Sequence, residues 1–215
     1  MERLDTGLAL NTRIKHIFID NTGQGKHSRH SFDVSLDYVA SLLLNDLSKT
    51  KVLFVSKNYK DVTRTNQQAR NETYDTYRQL VNRFGKDLVT NKPDTFRWKK
   101  AGFLILRMKS DSFRGLDFPD VDAIVIESMP NNMNDYIHAA GRVGRGEHSH
   151  GLVITLINTQ KDREVADKFM DLAESNNIDV VDSKPKPRSQ LVEDSESNKL
   201  SRVIKRKKLS FEART

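Results

Sequence analysis

Hydrophobic positions along this chain fall into short unbroken runs, separated by longer stretches in which they recur every three or four residues. IKHIFID (14–20), TKVLFVSKN (50–58), AGFLILRMK (101–109), DVDAIVIES (120–128) and HGLVITLI (150–157) are runs of the first kind. Their length and their wealth of Val, Ile and Phe predict five buried strands. Between them, HSFDVSLDYVASLLLNDL (30–47) carries Val34, Tyr38, Leu42 and Leu43 at helical spacing. Residues 61–84 predict a long polar helix whose large apolar residues are Leu80, Val81 and Phe84. NDYIHAAG predicts a short helix capped by Asn132 or Asn134. QKDREVADKFMDLAESN (160–176) predicts a helix with Val165, Phe169 and Leu172 on one stripe.

Continuous apolar strands alternating with helices imply a parallel sheet covered on both faces, because the crossover helices must shield each side. The fold class read from this pattern is α/β, a three-layer doubly wound domain over residues 1–181. After Val181 the composition turns to Pro, Ser and charge, which cannot bury enough surface to offset the entropy of ordering. Residues 182–215 are therefore expected to form a disordered basic tail.

Charge sharpens that division. The net charge is +7, and ten Lys and Arg oppose five acidic residues from Asp182 onward. Most of the basicity thus belongs to the tail, where Lys205, Arg206, Lys207 and Lys208 stand together. Such a run suits nucleic-acid phosphates or nuclear import, and equally a solvated segment with no ligand. The absence of cysteine excludes disulfides and thiolate metal sites. No apolar run approaches the ~20 residues that span a bilayer, and the N-terminus has no signal-peptide core. No membrane partner is expected. The setting is read as intracellular, with nucleus, cytoplasm and mitochondrion all open.

Candidate chemistry lies in three places. NTGQGKHS (21–28) looks like a phosphate loop, but a Walker A pattern would need Gly where Asp20 stands and Ser or Thr where His27 stands. SFRGLDFPD (112–120) forms a turn after a strand, and ligands of open parallel sheets gather beyond the carboxyl ends of strands. Gly115 would admit a ligand close to backbone there, and the Asp117 carboxylate could accept hydrogen bonds from ribose hydroxyls. HAAGRVGRG (138–146) sets Arg142 and Arg145 three apart, each preceded by glycine, a pair suited to gripping phosphate. The cluster EHSH (147–150) has no further ligand nearby in sequence, so a solvated loop is the reading there.

Taken together, Arg114-Gly115-Leu116-Asp117, the strand and proline of AIVIESMP, and His138…Gly141-Arg142…Gly144-Arg145 resemble motifs V and VI of the DEAD-box RNA helicases. KVLFVSKN is similar to their motif IV. The resemblance covers roughly residues 10–180, the family's second RecA-like lobe, a fold of the P-loop NTPase type. It implies that Arg142 and Arg145 act as arginine fingers on the γ-phosphate of ATP. It implies further that Asp117 contacts the ribose, that Gly115 and Arg114 border RNA phosphate, and that His138 either bonds across the cleft or packs in its helix. ATP, Mg²⁺, RNA and a first RecA-like lobe are the cofactors and partners implied, with a ribonucleoprotein complex as a wider setting.

Several positions depart from the family pattern. Ala139 stands where motif VI has arginine, and restoring Arg there is expected to raise turnover by strengthening lobe coupling. The Thr-Asp pair of motif V does not align. QQAR (67–70) has the letters of the family's Gln-x-x-Arg element but falls too early, within a helix. TNKPDTFRWKK (90–100) is shorter than its counterpart, and Trp98 is expected to pack in the core. The motifs of the family's first lobe, Walker A and D-E-A-D among them, are not in this sequence, so the chain alone is not expected to hydrolyse ATP. The alternative reading is a degenerate, non-catalytic lobe that docks on RNA or a ribonucleoprotein through its tail.

Overall fold

Alternate residues of a strand point to opposite faces of a sheet, and here each face gathers its own core. The computed structural model describes residues 14–22, 29–43, 50–56, 67–108, 118, 120–131, 133–144 and 150–184. Seven strands are β1 (Ile14–Asp20), β2 (Lys51–Ser56), β3 (Val89–Thr90), β4 (Gly102–Arg107), β5 (Ala123–Ile126), β6 (Gly151–Ile157) and β7 (Val180–Ser183). They pair in the order β3-β4-β2-β5-β6-β1-β7, every pair parallel. The helices are α1 (Arg29–Leu43), α2 (Gln67–Phe84), α3 (Pro93–Arg97), α4 (Met133–Ala140) and α5 (Gln160–Ser175).

On one face Ile17, Phe54, Phe103, Val125 and Ile154 pack under Leu36, Val39 and Leu43 of α1 and Leu80 and Phe84 of α2. On the other, Phe18, Leu53, Leu104, Ile124 and Val153 pack under Phe96 of α3, Tyr136 of α4 and Phe169 of α5. Phe169 is fully buried and meets Tyr136 edge-on at 4.6 Å between ring centres. Its truncation to Ala would cost about 3–5 kcal/mol.

The five expected strands all form. Two more were not visible as apolar runs. β3 is only two residues long, at the sheet edge, and β7 is only half-buried. β7 pairs with β1, with His16 opposite Val180 and Ile19 opposite Ser183. Asp182 and Ser183, assigned to the tail by composition, are therefore part of the sheet. The rest of that segment, from residue 185, lies outside the described residues.

α5 is fixed at its amino end. The Thr159 hydroxyl accepts from the Asp162 N–H at 3.0 Å, and the Asp162 carboxylate accepts from the Thr159 N–H at 3.1 Å, a reciprocal cap. Arg163, one residue on, bonds Asp167 at 2.8 Å and Asp182 at 2.7 Å and lies 3.5 Å from Asp20. One guanidinium thus ties the end of β1 and the edge strand β7 to this helix.

Candidate functional site at the amino ends of the strands

α4 begins after the carboxyl end of β5 and returns the chain to the amino end of β6, so its last residues lie where the strands begin. The Gly141 N–H donates to Ile137 O at 2.8 Å, and the next two N–H groups, of Arg142 and Val143, donate to Ala139 O and Ala140 O at 3.1 Å each. The helix thereby tightens into a turn that leaves Arg142 half-buried and Val143 buried. Gly144 has φ +69°, a left-handed conformation that costs glycine little and most residues more. The turn then seats on Gly151, the first residue of β6. A Cβ on Gly151 would come within 1.7 Å of Val143 Cγ1.

The neighbouring strand starts are stitched into one edge. Asp122 receives the Lys51 N–H on its carboxylate at 2.9 Å, while its own N–H donates to Lys51 O at 3.0 Å. Leu152 N–H donates to Asp122 O at 3.1 Å, and Gly102 N–H to Thr50 O at 2.9 Å. Phe118 reaches this edge as well. It meets Phe96 edge-on at 5.4 Å, and the Lys51 ammonium lies 5.4 Å from the centre of the Phe96 ring. Phe118 itself therefore lies at the amino ends of the strands. The turn that carries Arg142 and the side chain of Phe118 share this edge.

Of the residues singled out from sequence, Arg142 and His138 lie within the described part. His138 is exposed on α4, which resolves its two readings against packing in the helix core. Arg145, Asp117, Gly115, Arg114 and Lys205–Lys208 lie outside the described residues, as do most of NTGQGKHS and EHSH. QQAR forms the first turn of α2, as expected.

Two expectations change. Ala139 is fully buried beneath α4 in the core it shares with Phe18, Tyr136 and Phe169. An arginine there would have to enter that core, so the substitution expected to restore lobe coupling is one this packing opposes. Trp98 is not a core residue, being 85% exposed, while Phe96 fills the core and is fully buried. α3 is only five residues long, so Phe96 faces inward from it and Trp98 falls at its C-cap.

Sequence reading missed what holds α4 in place. His16 Nδ1 lies 2.7 Å from the Tyr136 hydroxyl, with both side chains fully buried. Burial pushes the His16 imidazole down to about 4, so it stays neutral. Burial also drives the Tyr136 phenol upward, opposed in part by the nearby Thr155 hydroxyl, although no well-formed hydrogen bond joins those two. A histidine in the middle of an apolar strand facing an apolar helix was the available signal. At the carboxyl ends of the strands a second polar chain was equally unforeseen. The Ser35 hydroxyl donates to the Asn21 amide oxygen at 3.0 Å, the Asn21 amide to Asn158 at 2.9 Å, and the Asn158 amide to Glu127 O at 2.6 Å.

The helicase conserved C-terminal domain family matches residues 35–147, just over half of the chain. The chain belongs to that family. Among curated relatives, DEAD-box ATP-dependent RNA helicase 27 of Arabidopsis thaliana is 39% identical over 79 residues, which is 37% of this chain and 12% of that protein. The pre-mRNA-processing ATP-dependent RNA helicase PRP5 of Mycosarcoma maydis is 35% identical over 83 residues, or 39% of this chain and 7% of that one. The chain thus matches only a small part of the length of these relatives. Among solved structures, the C-terminal domain of the DEAD-box protein Dbp5 has a TM-score of 0.53 at 17% identity, covering 90% of this chain and 98% of that one. S. cerevisiae Dbp5 bound to RNA and ADP BeF3 gives 0.57 at 18% identity, over 90% and 46%. At such identity the likeness is one of fold. The chain is a RecA-like C-terminal lobe of the DEAD-box helicase type.

Proposed function

We propose that this lobe serves an ATP-driven RNA helicase by supplying Arg142 and Arg145 as arginine fingers across a cleft. The observation that carries this reading is the Gly141–Gly144 turn, which fixes Arg142 at an edge of the sheet rather than inside it. Charge on a transferring γ-phosphoryl group redistributes in the transition state, and a planar guanidinium offers a fork of donors to it. A first RecA-like lobe holds the triphosphate and Mg²⁺. Asp117 accepts hydrogen bonds from the ribose, and His138, exposed on the same helix, bonds across the cleft. Gly115 and Arg114 border RNA phosphates, and Lys205, Arg206, Lys207 and Lys208 add sequence-tolerant phosphate contacts. An intracellular setting, in nucleus, cytoplasm or mitochondrion, goes with this role.

By itself the lobe turns over no ATP, because the residues that cradle the triphosphate belong to the first lobe. The buried Ala139 favours a second reading, a non-catalytic lobe that docks on RNA or a ribonucleoprotein, since the family's arginine has no room there. Joining the lobe to a competent DEAD-box first lobe separates the two. RNA-stimulated ATP turnover absent from either part supports the enzyme, and an inert joined protein supports the scaffold.

A further inference from the structure

Trp98 is the sole tryptophan of the chain and, among the described residues, the one large hydrophobic side chain that is exposed. It is held out rigidly. Phe96, two residues before, is fully buried against Phe118. The Lys51 ammonium donates to the Arg97 carbonyl at 3.2 Å, and the Lys99 N–H donates to Phe96 O at 3.1 Å. The Lys99 ammonium donates in turn to the Asp87 carbonyl. The backbone on both sides of the indole is thereby pinned, while its ring faces solvent. Arg97 and Lys100 are exposed beside it and Lys99 is half-exposed, with Lys92 and Lys86 exposed on the same stretch; only Asp87 and Asp94 oppose them.

We propose that Trp98 is a stacking platform for a base of single-stranded RNA, with Arg97, Lys99 and Lys100 on the flanking phosphates. A planar aromatic set singly among cations matches the alternation of base and phosphate along a nucleic-acid strand. A protein partner would call for a wider apolar centre around its anchor, and here the indole's sequence neighbours are charged or polar. The platform lies at the amino end of β4, on the same edge as the arginine turn at the start of β6. Two strands intervene, so the separation along the edge is roughly 15 Å. An RNA strand there is a contact additional to the basic tail and independent of ATP turnover.

The intact chain carries its own reporter, because every change in tryptophan emission comes from Trp98. Titration with an oligouridylate of about twenty nucleotides should quench that emission saturably, whereas inorganic polyphosphate of equal charge should leave it unchanged. Trp98→Ala should weaken binding of a fluorescein-labelled oligouridylate, read by anisotropy, at least ~5-fold, the lower end of what one stacked base is worth. Trp98→Phe should retain more affinity than Trp98→Ala. Arg97→Ala with Lys100→Ala should move the quenching midpoint to higher RNA. These positions are exposed, so the fold tolerates each change. Unquenched emission while the oligonucleotide binds, equal quenching by polyphosphate, or no binding at all would each overturn the platform. None of these outcomes touches the arginine-finger reading, which is judged by ATP turnover.

Discussion

The Nδ1 of His16 and the hydroxyl of Tyr136 meet at 2.7 Å across 120 residues of chain, a polar tie between strand β1 and the helix that carries the arginine turn. It is enclosed by Phe169, whose ring centre lies 5.1 Å from that of His16 and 4.6 Å from that of Tyr136.

This tie gives the fold a pH dependence of known sign. The folded-state value of His16 is lowered from 6.5 to about 4 by burial. Between those values the unfolded chain binds a proton that the folded chain refuses, so stability falls as pH falls, by up to about 1.4 kcal/mol per unit. Below about 4 both states carry the proton and the loss is complete. Asp20 acts lower on the scale. Burial alone would raise its carboxyl, but hydrogen bonds from Thr22 and the charges of Arg163 and Lys184 outweigh it and hold it below its ordinary 3.8. Its stabilisation is present above that value and is lost as pH drops further. Urea unfolding of His16→Gln should show a flatter slope between pH 6.5 and 4 than the unaltered chain. An unchanged slope would remove His16 as its source.

Ala139→Arg should destabilise the lobe by at least about 2 kcal/mol, since overpacking and an unpaired buried charge both oppose it. The midpoint of urea unfolding measures this directly. An arginine accepted there without loss would mean that α4 can lift from the core.

Gly151→Ala should cost about 1–3 kcal/mol, because the new methyl meets the branched side chain of Val143 and the backbone of Gly144. In a two-lobe protein the same change should lower turnover beyond its effect on stability, since Arg142 rides on that turn. A loss of stability with turnover unaffected would detach the turn from function.

How much of this was legible beforehand differs by element. β1, β2, β4, β5 and β6 announce themselves as unbroken apolar runs, because strands covered on both faces need no polar alternation. β3 and β7 escape because a two-residue strand has no period and a half-buried edge strand tolerates polar residues; β7 even contains Asp182 and Ser183. The arginine turn was visible from its glycines. Its edge was not, because the direction in which α4 delivers the chain depends on tertiary packing. Phe96 lies within the five-residue α3 and Trp98 at its C-cap, and the family's core phenylalanine falls close enough to both that the resemblance favoured the wrong one as the core residue. The His16–Tyr136 pair joins residues too distant for any local pattern to connect.

The boundary at β7 also sets how the tail is to be removed. Truncation after Lys184 keeps Asp182 and its bond to Arg163, whereas truncation at 182 removes it. The shorter deletion should lower RNA affinity and reduce the dependence of log affinity on log salt, by about 0.7 for each lost contact to single-stranded phosphate. Unchanged affinity and slope would take Lys205–Lys208 out of the interface.

The most direct measurement is RNA-stimulated ATP turnover by this lobe joined to a competent DEAD-box first lobe, with Arg142→Ala and Arg145→Ala tested separately and together. Each single change should lower turnover at least ~10²-fold, because the two guanidinium groups share a task worth ~10³–10⁵. RNA affinity should stay nearly constant, since their partner is the nucleotide, and Arg142→Lys should rescue poorly because an ammonium lacks the planar fork. An active joined protein that keeps its full turnover without both arginines would contradict the account.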